Sequence, residues 1–184
     1  MPFPAVTKTL HLMNFIKKLV IPSESRSSEA RQKLGLLFSL VVPQANDYRI
    51  VYGNYQTETA SITKRTFTYY NYAVGYQPGT LQIAVVGIDA ALREASSPLY
   101  FNPANLKKAG KGFSQAYYFE NLAGDSVYFR VPPFTLRFGS ASQFQPPIFQ
   151  EEEEKLFKAF FKTNFGKEEK LFKAFFKTNF GKKK

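Results

Sequence analysis

Hydrophobic and polar residues alternate along this chain with a period that changes twice. Near the start, TLHLMNFIKKLV sets Leu12, Met13, Phe15, Ile16, Leu19 and Val20 on one helical face against Lys17 and Lys18, the mark of a basic amphipathic segment. The run LGLLFSLVV at 34–42 follows Arg31 and Lys33 and reads as a buried helix capped at Ser27 or Ser28. Nine residues are too few to span a bilayer. From residue 47 the period shortens to two. RIVYGNY, TFTYYNYAVGY and TLQIAVVG are rich in aromatic and β-branched residues and predict strands, with Gln77-Pro78-Gly79 joining the second to the third as a type II turn.

AYYFENL and SVYFRV, flanking Gly124-Asp125, predict a second hairpin, and Pro132-Pro133 sets FTLRF apart as an edge or fresh strand. Two short helices are expected between the hairpins: AALREA capped by Asp89, and PANLKKA started by Asn102 and closed by Gly110. Helices, strands, helices, strands and a helical tail predict an α+β fold with a largely antiparallel, strongly curved sheet. A curved antiparallel sheet closed by a C-terminal amphipathic helix is similar in outline to pleckstrin-homology-like domains. The composition of GSASQFQPPIFQ marks 139–150 as a linker, which gives a domain over 1–138 and a tail over 151–184. Residues 1–26 read either as part of that domain or as a flexible or targeting segment.

The tail carries the period of a helix and repeats itself. EEKLFKAFFKTNFGK occupies 153–167 and again 168–182 without a mismatch, which marks a recent duplication or an engineered extension. In each unit the large apolar side chains oppose the lysines: Leu156, Phe157, Phe160 and Phe161 against Lys158 and Lys162, then Leu171, Phe172, Phe175 and Phe176 against Lys173 and Lys177. Glutamates at each start and Gly166 and Gly181 at each end predict two helices of about a dozen residues. Helices that short are marginal alone, so each needs an apolar partner. The candidates are the domain's own core, an anionic membrane surface, another protein, or a second copy of the chain.

Charge widens the choice of partners. The formal net charge is +11, of which +4 lies in 151–184 and +7 in the rest. A basic body suits nucleic acid, anionic lipid or an acidic protein. Lys107, Lys108 and Lys111 beside Gly110 and Gly112 form a candidate anion site, because glycines let backbone N–H groups approach a phosphate and the ammonium groups add charge. A second candidate surface is aromatic. Tyr69, Tyr70, Tyr72, Tyr117, Tyr118, Tyr128 and Phe129, interleaved with Lys64, Arg65, Arg130 and Arg137, have the composition of a sheet that stacks single-stranded nucleic acid. Strand alternation makes both faces substantially apolar, which assigns part of that set to a core instead.

Catalytic chemistry has little to draw on. The sequence has no cysteine and only His11 as histidine, which removes thiol nucleophiles, thiolate metal sites and histidine-based triads built in the body of the chain. Glu58 and Glu120 are the carboxylates placed to meet across a sheet, as a small hydrolase would require. The expectation is a non-catalytic binding module without cofactor or metal, intracellular and peripheral to a membrane, with organelle targeting or secretion as further options. Attachment would run through the C-terminal helices, with nucleic-acid binding by the sheet as the alternative.

Overall fold

The computed structural model describes residues 20–61, 63–112, 115–136 and 142–180, with side chains described through Gly166. It is α+β, as expected. Helix α1 (Glu24–Val41) precedes seven antiparallel strands: β1 (Arg49–Ala60), β2 (Arg65–Gln77), β3 (Gln82–Ile88), β4 (Leu99–Phe101), β5 (Leu106–Lys111), β6 (Tyr117–Asn121) and β7 (Ser126–Phe129). Helix α2 (Glu151–Phe180) completes the order. The strands divide into a four-stranded sheet ordered β1-β2-β3-β4 and a three-stranded sheet ordered β5-β6-β7. The single strongly curved sheet is thus replaced by two sheets, neither strongly curled. Among the described residues no helix is long and apolar enough to cross a membrane.

Both faces of the four-stranded sheet are covered, which is why its strands carry so many apolar residues. On one face lies α1, whose Ala30, Leu34, Leu37 and Phe38 are buried against Tyr52, Ala73, Ala84 and Val86. The side chain of Phe38 occupies the space above Gly75, where a Cβ would collide with its ring, so a residue with any side chain at 75 would displace Phe38. Helix α1 begins at Glu24, earlier than expected, and Ser27 lies inside it. The Ser27 hydroxyl accepts from the Phe149 N–H at 2.7 Å and donates to the Phe149 carbonyl at 3.2 Å, tying the helix to the chain leading into α2.

The second face packs against the three-stranded sheet and α2. Val51, Val74, Tyr76, Ile83 and Val85 meet Tyr117, Phe119, Val127 and Phe129, and the gap is filled by Phe157, Phe160, Phe161 and Phe165 of α2. The two sheets are joined directly where Asn54 and Arg130 exchange backbone hydrogen bonds of 2.8 and 2.6 Å.

Several local expectations are corrected. The 90–95 segment is a turn, not a helix. Asp89 accepts hydrogen bonds from the N–H groups of Ala91, Arg93 and Glu94 at 2.6 to 3.1 Å, and desolvation of its carboxyl is outweighed by those donors, which hold its pKa below the ordinary value. Asn102 likewise bonds the N–H groups of Ala104 and Asn105, but the chain then enters β5 where a helix was expected. In the β2–β3 hairpin the positive φ falls on Leu81 at 56°, so the turn is not type II with Gly79 in the left-handed position. FTLRF forms no strand within its described part; Phe134 makes only an isolated bridge to Phe149.

The described part of the expected linker is packed. Ile148 and Gln150 are buried, and Thr135 Oγ1 bonds Ile148 N–H and the Pro146 carbonyl. The basic amphipathic segment before Val20, Arg137 and Gly181 lie outside the described residues.

Candidate functional site

The register decides which tyrosines reach solvent. Along β6, Tyr117 and Phe119 turn into the core while Tyr118 and Glu120 take the other face; along β7, Val127 and Phe129 are buried while Ser126 and Tyr128 are exposed. Tyr118 pairs with Tyr128 across the strands, their ring centroids 6.0 Å apart. The row continues onto the other sheet through the Asn54–Arg130 bridge. Tyr55 of β1 stands 5.8 Å from Tyr128, and Tyr55 is directly opposite Tyr70 of β2, which is exposed. Tyr118, Tyr128, Tyr55 and Tyr70 therefore form one aromatic path from the outer face of the three-stranded sheet to the β1–β2 ribbon.

Cations flank this path. Lys108 Nζ lies 5.5 Å from the centroid of the Tyr118 ring. Arg130, exposed, follows Phe129 at the bridge, and Lys64 stands at the tip of the ribbon; Arg65 beside it is on the opposite face from Tyr70, where it approaches Glu58 at 3.6 Å. Beside Tyr55 and Arg130 a cleft of about 420 Å³ opens, whose lining includes Gln56, Lys111, Lys158 and Glu154. Glu154 is buried and pairs with Lys158 one turn along α2. Lys111 Nζ lies 5.2 Å from the ring centroid of Tyr117.

Tyr72, at the inner end of the path, is half-buried, and burial, with Tyr70 and Tyr55 nearby, pushes its phenol up to about 12. Burial raises Tyr52 in the same direction. In the unfolded chain a phenol ionises near pH 10, so between about pH 10 and 12 the unfolded state loses the proton that folded Tyr72 retains. The stabilisation is complete below pH 10 and is lost as pH rises through that window. Urea unfolding across the window is expected to show stability falling with pH, and Tyr72→Phe is expected to reduce the slope; an unchanged slope would remove Tyr72 from the linkage.

The predicted anion site takes a different form. Its lysines lie on β5, not in a glycine-rich loop. Lys107 pairs with Glu120 at 2.6 Å, and that ammonium hydrogen bond holds the Glu120 carboxyl below the usual range. The Tyr118 ring lies over Gly110, where an added Cβ would come within 2.6 Å of ring carbons, so this glycine makes room for an aromatic ring. Gly112 is bonded by its N–H to the Ala116 carbonyl. Lys107, Lys108 and Lys111 are thus divided among an ion pair, the tyrosine path and the cleft. Glu58 and Glu120, the carboxylates considered for catalysis, sit on different sheets, each beside its own cation.

Placement of the tail residues corrects the docking surface expected of the first unit. Phe157, Phe160 and Phe161 are in the core, packed on Tyr76 and Tyr117 at ring-centroid distances of 4.7 to 5.3 Å, while Leu156 is exposed and Lys158 and Lys162 face outward. Lys158 reaches the cleft. The helix also passes through Gly166 instead of ending there. The side chains of Leu171, Phe172, Lys173, Phe175, Phe176 and Lys177 lie outside the described residues.

Of the aromatics proposed for stacking, Tyr117 and Phe129 are core, and Tyr69 stacks on Phe144 at 4.8 Å. Tyr70, Tyr118 and Tyr128 remain on the surface. Tyr55 was not singled out by the sequence, because only its register opposite Tyr70 and its closeness to Tyr128 give it a role. No family model, no curated protein and no solved structure matches this chain.

Proposed function

We propose that the protein is a non-catalytic module that binds single-stranded nucleic acid along the path Tyr118, Tyr128, Tyr55 and Tyr70. The observation that carries this reading is the succession of Tyr118, Tyr128 and Tyr55 in ring contact, with Tyr70 opposite Tyr55 and with Lys108, Arg130 and Lys64 close to the row. Every base offers a π-face to a tyrosine, while Lys108, Arg130 and Lys64 supply charge for the sugar-phosphate backbone. Such a surface favours strands without strong sequence preference, since stacking carries little information about base identity.

Base stacking on an aromatic side chain contributes about 1–3 kcal/mol. The double variant Tyr118→Ser with Tyr128→Ser is therefore expected to weaken binding of a fluorescein-labelled oligouridylate at least about tenfold, by anisotropy at low salt. Both side chains lie on the solvent-facing side of their strands, so the fold is expected to persist. Arg130→Ala is expected to weaken binding and to lower the salt slope by about one ion. Absence of binding by the wild-type chain, or binding indifferent to the tyrosine pair, would overturn this reading.

A further inference from the structure

We propose that residues 168–182 are a second occupant for the groove between the two sheets that residues 153–167 fill. This rests on the repeat and the groove, independently of the tyrosine path. Every described ring that α2 places in the groove belongs to the repeated unit. Phe157 packs on Tyr76, Tyr117 and Phe129, Phe160 on Tyr76, Phe161 on Tyr117 and Phe119, and Phe165 on Phe119. Fifteen residues on, the sequence supplies Phe172, Phe175, Phe176 and Phe180 in the same order and spacing.

The ion pairs that orient the seated unit are repeated as well. Glu153 bonds Arg31 of α1 at 2.7 Å and Glu154 pairs with Lys158; Glu168, Glu169 and Lys173 are their counterparts. Selection between the units must therefore come from their flanks. Lys155 pairs with Glu151 and Glu152, at 3.2 and 2.9 Å, whereas the residues at the corresponding positions before the second unit are Gly166 and Lys167. A glutamate-rich first turn also complements the helix dipole, and a lysine there opposes it. These flanks favour the first unit and leave the second in reserve.

Exchange within one chain is topologically simple. With Gln150 held by the body, residues 151–167 would leave the groove as a connecting segment and Glu168 would take the place of Glu153. Closure of such a segment depends only weakly on its length, and the tether keeps the second unit at high effective concentration beside the groove. The result is a core helix with a built-in replacement of identical shape.

Copy-specific substitutions in the full chain test this. Phe160→Ser with Phe161→Ser is expected to keep a single cooperative thermal transition, lowered by less than about 10 °C. Phe175→Ser with Phe176→Ser is expected to melt within a few degrees of wild type, and all four substitutions together are expected to abolish the transition. Hydrogen exchange with mass readout, which distinguishes the units once one is substituted, is expected to move amide protection from 157–165 to 172–180 in the first variant.

Loss of the transition in the first variant would overturn the proposal, because the second unit would then have failed to enter. Survival of the fourfold variant would overturn it too, since the groove would then need no occupant. A transition in the first variant that strengthens with protein concentration would mean entry from a neighbouring chain and would overturn exchange within one chain.

Discussion

Replacing Phe119 with alanine is expected to cost about 3–5 kcal/mol of unfolding free energy, because a large buried ring is lost and the cavity it leaves cannot close. Phe119 is fully buried on β6 and touches rings from three other elements: Phe101 of β4 at 5.5 Å, Phe129 of β7 at 5.9 Å, and Phe161 and Phe165 of α2 at 5.9 and 5.6 Å. Those neighbours are themselves locked in the shared core, so none can swing in to fill the space. For a chain of this size the loss corresponds to a fall of roughly 6–20 °C in Tm. Tyr118→Ala, one residue away on the opposite face, serves as the control and is expected to change stability far less. A loss below about 1 kcal/mol for Phe119→Ala, measured by urea unfolding, would mean that the two sheets and α2 do not share one core.

Gln150→Leu is expected to have a comparable effect for a different reason. Gln150 is buried beside β1, and its side-chain amide works as a substitute for a neighbouring strand's peptide group. Its Oε1 accepts from Tyr52 N–H at 2.7 Å, while its Nε2 donates to the carbonyls of Tyr52 and Pro132, each at 2.8 Å. Leucine matches the size and offers none of these bonds, leaving three backbone groups without partners. At about 1–3 kcal/mol for each buried group left unmade, the cost sums to roughly 3–6 kcal/mol after partial relaxation. Unfolding in urea with an unchanged m-value and a lower midpoint is the expected signature. A change of less than about 1 kcal/mol would show that water replaces the amide at this edge.

Elements whose signal is local were legible in the sequence. Strands β1, β2, β3, β6 and β7 announced themselves by alternation, and Gly124 occupies a left-handed turn position with φ of 95°. Helix α1 was readable from its apolar run at 34–42, though not its start at Glu24. The misreadings fall where one local signal serves two structures. Asp89 and Asn102 bind N–H groups further along the chain in the same way whether a helix continues or the chain merely turns. The conformation after Asn102 is settled by pairing with β6, between Lys111↔Tyr117 and Leu106↔Asn121, which no window around residue 106 contains. The candidate site shows the same limit. Lysines and tyrosines could be named from composition, but the path through Tyr55 exists only because two sheets meet at Asn54 and Arg130. For the first unit of the tail, spacing placed Phe157, Phe160 and Phe161 on the buried face but also put exposed Leu156 there, missed buried Phe165, and could not name what covers them.

The continuity of α2 through Gly166 gives the repeat a metrical meaning. Fifteen residues advance a helix by about 22 Å and carry it through four turns plus about 60°. A further unit inserted in the same frame would extend the rod by that step and rotate its phenylalanine stripe by that angle, and six units would bring the stripe back to its first azimuth about 135 Å away. Removing 153–167 or 168–182 leaves the same polypeptide. The number of copies can therefore change by whole units without altering the unit next to Gln150, so the length and azimuth of this helix can change while the core sequence stays as it is.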